Sequence, residues 1–262
     1  MRTFIERTGE RTLGAIEELG YAFSLCVESL YWLLAGPFLQ QPVRLSAVSA
    51  EMMKIGVLAV PVVLLLAFAN GAMMAIQGLA TMREFGAESQ IVDVIAYSVT
   101  REFGVLIAAI VVAGRSGSAI AARIGSMQMS QEVDALRVMG VEPVRHLVAP
   151  ILLAMLIMMP VLTMFANTAA IIGGGLYTSM TLSMPLAVFI EQCFVVLDWS
   201  DLAQGLYKAL VFGTLIALIA CANGFSVSGG AEGLGRYTTR SVVLSIAAIV
   251  VADMIFTYFL SR

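Results

Sequence analysis

Few residues in this chain could do chemistry, and those that could are charges set inside apolar runs. Arg101 and Glu102 sit where one such run begins, in SVTREFG, and Lys208 and Asp253 lie within two others. A charge at membrane depth is costly, so it faces a cavity, a partner or another charge. Adjacent residues on a helix point about 100° apart, so Arg101 and Glu102 cannot simply pair with each other. Each needs another partner, protein or ligand, and Asp93 and Lys208 are the candidates for a structural ion pair. Asp253 could serve a proton relay. A structural hydrogen bond to another helix is the favoured reading, because its own span holds no second carboxylate and no histidine.

Other chemistries find no residues to support them. His146 is the only histidine, and no cysteine or carboxylate cluster has ligand spacing, so no metal site is expected. Cys26, Cys193 and Cys221 are far apart and odd in number, which suits buried small hydrophobes. No nucleophile, base and orienting group occur as a set, so intrinsic catalysis is not expected. The glycine-rich GGAEGLG (Gly229–Gly235) lacks a lysine, and G-x-x-x-x-G-K-[ST] occurs nowhere. The chain therefore has no loop of its own to cradle ATP, and no cofactor is expected in it.

The elements that must carry these charges are membrane helices. Sixty per cent of residues are hydrophobic, 13% are charged and mean hydropathy is +0.92. A net charge of −3 gives no reason to expect a nucleic-acid partner. The apolar residues fall into long, non-alternating runs, the pattern of helices and not of barrel strands. Five spans are expected, at about 55–76, 94–113, 147–170, 206–222 and 242–260, each near the roughly 20 residues needed to cross. Ala22–Leu34 is too short to cross and reads as an amphipathic helix at the interface. Met184–Leu197, which carries Glu191 and Gln192, reads as re-entrant or interfacial, with a sixth span that would reverse the ends as the less favoured alternative.

With the N-terminus inside, Arg2, Arg7, Arg11, Arg44, Lys54, Arg115, Arg123, Arg137, Arg145, Arg236 and Arg240 are cytoplasmic. Only Arg83, Arg101, Lys208 and Arg262 fall outside, a clear positive-inside bias that puts the C-terminus out. No small-residue cleavage site follows the charged N-terminus, so no cleaved signal peptide is expected. An odd number of spans without an internal repeat points to a homodimer if the pathway is symmetric.

Between the second and third spans lies a charged helical island. Ser126–Gly140 can form four turns, with Met127, Val133, Leu136 and Met139 on an apolar side, and Gly140 followed by Pro143 as its stop. The run AGRSGSAIAARIGSMQMSQEVDALRVMGVEPVRHLVAP resembles a signature of the MlaE/YrbE permease family, the membrane subunits of ABC systems linked to MCE proteins. SVTREFG and NGFSVSGGAEGLGRYTTRSVV resemble further parts of that signature. The resemblance covers residues from about Pro42 to the end, which sets a permease domain at 42–262 after an N-terminal region at 1–41. Family members usually carry Glu at Arg123, Pro at Val105 and Arg at Ile151.

The resemblance implies a fold, partners and roles. It implies an all-α polytopic membrane protein whose island, about 126–140, is a coupling helix for a separate ABC ATPase that holds the ATP and magnesium. Glu132, Asp134, Leu136 and Arg137 would be the contacts. It implies a phospholipid substrate, an MCE-domain periplasmic ring and often a STAS-domain protein, in a bacterial inner membrane. The expected role is transfer of phospholipid between inner and outer membranes, maintaining outer-membrane lipid asymmetry. The lipid wall would be Asn70, Met74, Gln77, Thr81, Met82 and Phe85, with Arg101 and Glu102 at the mouth. Two other functions fit the residues: a proton-coupled secondary transporter, or a non-transporting scaffold.

Overall fold

The computed structural model describes residues 17, 20–34 and 44–260, so most of the expected N-terminal region lies outside the described residues. Among those described, the secondary structure is helical, with no strand. Helix α1 covers 20–34, followed by α2 (Leu45–Ile55), a 3₁₀ turn (Val57–Ala59) and α3 (Val60–Glu84). Then come α4 (Ile91–Ser98), α5 (Gly104–Val112), α6 (Ser118–Met129) and α7 (Glu132–Val138). The chain ends with α8 (Ala149–Leu182), α9 (Leu186–Val196), α10 (Trp199–Phe225) and α11 (Gly230–Leu260). Three π-helical turns, Val99–Phe103, Ala113–Gly117 and Val144–Val148, lie within the second and third spans.

The five expected spans are present, and each is longer than its apolar run. They run Leu45–Glu84, Glu88–Met129, Val144–Leu182, Trp199–Phe225 and Gly230–Phe259. Hydropathy marks only the part of a helix that suits hydrocarbon, whereas helical backbone extends past it, through Gln128 in the second span and, across a 3₁₀ turn, through Glu51 and Lys54 in the first. Helix α9 has 11 residues and is too short to cross. The island is not one four-turn helix. It breaks at Ser130–Gln131, where Gln131 takes a left-handed φ of 59°, and α7 starts afresh at Glu132.

The chain forms two compact units. One comprises Met52–Ser116, Met155–Thr214 and the described residues from Ile246 on. Here α3 buries Val63, Ala67, Gly71, Ala75 and Leu79, one every fourth residue and so on one face. The small members of that stripe let α3 and α8 touch backbone to backbone. A Cβ on Gly71 would lie 1.9 Å from the Ala170 carbonyl oxygen, and one on Gly173 would lie 2.1 Å from that of Phe68. Where no hydrophobic force joins helices, such close packing of small residues holds them. The break between α2 and α3 is covered from the second span. Ser116 Oγ donates to the Ile55 carbonyl at 2.9 Å, and Arg115 Nη1 to that of Lys54 at 3.3 Å.

The other unit comprises the described residues up to Glu51 with Gly117–Ala154 and Leu215–Ser245. Gly224 lies against Ile124, where an added Cβ would come 2.7 Å from the isoleucine Cβ. Helix α1 rests on the segment before α8: the Arg145 guanidinium lies 5.2 Å from the centre of the Trp32 ring. Burial, together with the nearby Glu142 carboxylate, pushes the Glu28 carboxyl above its ordinary value.

The packing of α3 on α8 gives a direct expectation. Gly71→Val places branched bulk into a carbonyl that cannot retreat, and costs about 1–3 kcal/mol or more. The check is the midpoint of thermal unfolding in detergent, which falls for Gly71→Val but stays near wild type for Gly114→Ala, where nothing lies within 4 Å.

Candidate functional site

The π turn Val99–Phe103 holds Arg101 and Glu102, a kind of widened turn that is frequent at functional sites. As their angular offset requires, the two side chains go to different partners. Arg101 Nε donates to Asp201 Oδ1 at 2.7 Å, and its guanidinium stacks 4.7 Å from the centre of the Tyr97 ring. Asp201 is fixed in turn. It is the third residue of α10, and its Oδ2 accepts from the backbone N–H of Asp198 at 2.9 Å. That is the reciprocal half of a capping box, so one buried carboxylate both starts a helix and anchors an arginine. Tyr97 Oη donates to the Val196 carbonyl at 3.1 Å, tying α4 to the end of α9.

Glu102 turns to Lys208, which is 1% exposed. Lys208 Nζ lies 2.5 Å from Glu102 Oε2 and 2.9 Å from Asp253 Oδ1. The second contact is an ion pair without hydrogen-bond alignment, which leaves Asp253 Oδ1 a buried acceptor with no hydrogen bond. Lys208 also donates to Thr257 Oγ1 at 3.1 Å. The Thr257 hydroxyl lies 3.1 Å from Glu102 Oε1 and 2.9 Å from the Asp253 carbonyl, and its one proton serves either. Two formal negative charges therefore surround one positive charge, joining the second, fourth and fifth spans. A fully buried ammonium in this setting needs such company.

Lys208 and Asp253 thus belong to the same cluster as Glu102, with Arg101 beside it through Asp201. The α3 candidates form a separate stripe. Gln77, Thr81 and Phe85 are exposed, Asn70, Met74 and Met82 are half-buried, and Asn70 Oδ1 is buried without a partner. A cavity of about 460 Å³ occurs in the same unit, and neither the α3 stripe nor Arg101 or Glu102 lines it. The sequence reading missed Asp201 and Thr257. Each had a local signal: an acid three residues after Asp198, and a hydroxyl one turn beyond Asp253.

Helix α7 presents the other candidate surface. Val133 is fully buried and pins it, while Glu132, Asp134, Arg137, Val138 and Met139 are exposed, and Leu136 is half-buried. Arg137 Nη1 pairs with Asp134 Oδ1 at 3.3 Å, one turn away. The helix closes with Val141 N–H donating to the Leu136 carbonyl at 2.9 Å and Gly140 N–H to that of Arg137 at 3.0 Å, with Gly140 at φ 74°. This is a Schellman close, which needs the glycine. Close by in sequence, Arg123 makes a two-pronged pair with Glu51 at 2.7 Å for both bonds. The positive charge at this position is thereby matched within its own unit.

The family model for Permease MlaE matches residues 48–259. A probable ABC transporter permease protein of Rickettsia typhi is 34% identical over 243 residues, covering 92% of this chain and 94% of that one. A probable ABC transporter permease protein of Synechocystis is 33% identical over 208 residues, 79% of each chain. The chloroplastic protein TRIGALACTOSYLDIACYLGLYCEROL 1 of Arabidopsis thaliana is 33% identical over 189 residues, 72% of this chain and 54% of that one. Matched through all five spans and a third identical to these permeases, this multi-pass membrane chain belongs to the MlaE family of ABC transporter permeases.

Proposed function

We propose that this permease moves phospholipids between the inner and outer membranes of a bacterium, as a homodimer driven by a separate ATPase. The observation that carries this reading is the cluster of Arg101, Glu102, Lys208 and Asp253 among spanning helices. Its mixed charges suit a zwitterionic head group, and the half-apolar stripe from Asn70 to Phe85 suits acyl chains. The Arabidopsis relative is named for a galactosylated diacylglycerol, which supports a glycerolipid substrate.

In this reading residues 42–262 form the permease domain, with the N-terminus cytoplasmic and the C-terminus periplasmic. Helix α7 docks on the ATPase through Glu132, Asp134, Leu136 and Arg137, and ATP and magnesium stay on that partner. The helical run Glu88–Met129 carries Arg101 and Glu102 near one end and α6 at the other, next to α7 in the chain. An MCE-domain ring receives or supplies the lipid, with a STAS-domain protein as a further partner.

Two experiments test these roles. Glu132, Asp134 and Arg137 changed together to alanine lose the co-purifying ATPase while the permease stays folded. An ATPase retained at equal copy number contradicts the docking assignment. The second experiment separates structure from function in the charged cluster. Lys208→Met alone strands two carboxylates and costs about 3–5 kcal/mol of stability. The combination of Glu102→Gln, Lys208→Met and Asp253→Asn restores the unfolding midpoint but abolishes lipid transport. Full transport by that neutral combination would reduce the cluster to a structural clamp.

A further inference from the structure

The cavity of about 460 Å³ is walled by α8, α9 and the start of α10, and the charged cluster does not use it. Its size falls within the range of small-ligand sites, about 300–1,000 Å³. Most of its wall is aliphatic or aromatic, yet two polar side chains in it have no partner. Asn167 is 5% exposed and neither Nδ2 nor Oδ1 makes a hydrogen bond, and Thr100 Oγ1, on a residue 2% exposed, is also unpaired. Native proteins seldom leave such groups unpaired, because each loses its water and gains nothing. The Asn167 amide is also held in place. It lies flush on Gly104, where an added Cβ would come 1.7 Å from Oδ1.

The open side decides the occupant. Met164 and Ile172, two turns apart on α8, line the cavity and are exposed on the third span. Phe194 on α9 and Trp199 at the start of α10 line it and are exposed as well. An apolar outer face on a spanning helix meets acyl chains, and tryptophan marks the level of the head groups. A ligand entering here comes from the bilayer.

We propose that this cavity binds one acyl chain of a glycerolipid, with Asn167 Nδ2 donating to the ester carbonyl and the Thr100 hydroxyl serving the same linkage. The site is separate from the Arg101–Glu102 cluster and gives the chain a second, lateral lipid position. It takes its ligand class from the lipid reading above, while ATPase docking on α7 does not depend on it.

Cys193 lines the cavity as a free thiol only 2% exposed, so it labels slowly, through openings of the cavity that a bound chain suppresses, and that slow rate is the readout. Cys26→Ser with Cys221→Ala leaves it the sole thiol of these 262 residues. The variant is purified in a steroid-based detergent without linear chains and treated with N-ethylmaleimide. Phosphatidylethanolamine at about ten times its Kd slows labelling about tenfold by mass action. Glycerophosphoethanolamine, which has the head group and no chains, gives no protection. Hexadecane, a chain without an ester, protects both the parent and an added Asn167→Leu, whereas phosphatidylethanolamine protects Asn167→Leu far less. Equal labelling with and without phosphatidylethanolamine, or undiminished protection of Asn167→Leu, overturns the proposal. Native mass spectrometry gives an independent readout: Ile172→Trp, which fills the mouth from an exposed position, retains one phospholipid fewer per chain. An unchanged lipid count overturns the site. Failure here with ATP-driven transport intact removes the lateral site alone and leaves the permease reading standing.

Discussion

An ammonium group buried among membrane helices is tolerated only where carboxylates are brought to it, and Lys208 imposes that condition here. Its Nζ sits between Glu102 and Asp253, with Thr257 closing the ring, so three spans must meet at one point. Removing both carboxylates would strand the cation, and removing the cation leaves two like charges together. The cluster is therefore costly to disturb and sensitive to any added charge. That sensitivity is what a head-group site needs, because a charged or zwitterionic ligand changes the balance that holds the helices.

Around this point the helices are joined by different means. Between α3 and α8 the joint is tight and apolar, with Gly71 and Gly173 each against a carbonyl of the facing helix. The second span carries two π turns, at Val99–Phe103 and Ala113–Gly117, where side chains from the turn take over polar work. Arg101 and Glu102 bind outward from the first, and Arg115 and Ser116 donate from the second to the loose carbonyls at the end of α2. Such turns relax the regular ladder locally without ending the helix. A helix interrupted in this way can carry displacement along its length and still repack at a turn.

The parts of this fold that a sequence can show are those set by one helix at a time. Five apolar runs announced five spans, because run length against bilayer thickness is a one-dimensional property. Their ends were not legible, since a helix does not stop where hydropathy does. The need of Arg101 and Glu102 for separate partners followed from helical geometry, and Lys208 was among the partners named for them. Asp201 was not found, because an acid near a helix start reads as a cap, and here it caps and pairs at once. Nothing marks Gln131 as the left-handed residue of the break after Ser130, since it is a glutamine and not a glycine or asparagine. The cavity beside Asn167 is made jointly by α8, α9 and α10, so no single periodicity reveals it. The stripe from Asn70 to Phe85 was visible as a mixed face of α3, but a face on one helix is not a concavity.

The central claim is that energy enters through a separate ATPase and leaves as movement of lipid. It is tested most directly by transfer of a labelled phospholipid in proteoliposomes that hold this chain with the proposed ATPase and periplasmic partners, with and without an imposed proton gradient. The account predicts transfer that requires ATP hydrolysis and is indifferent to the gradient. Transfer that follows the gradient in the absence of ATP would contradict it.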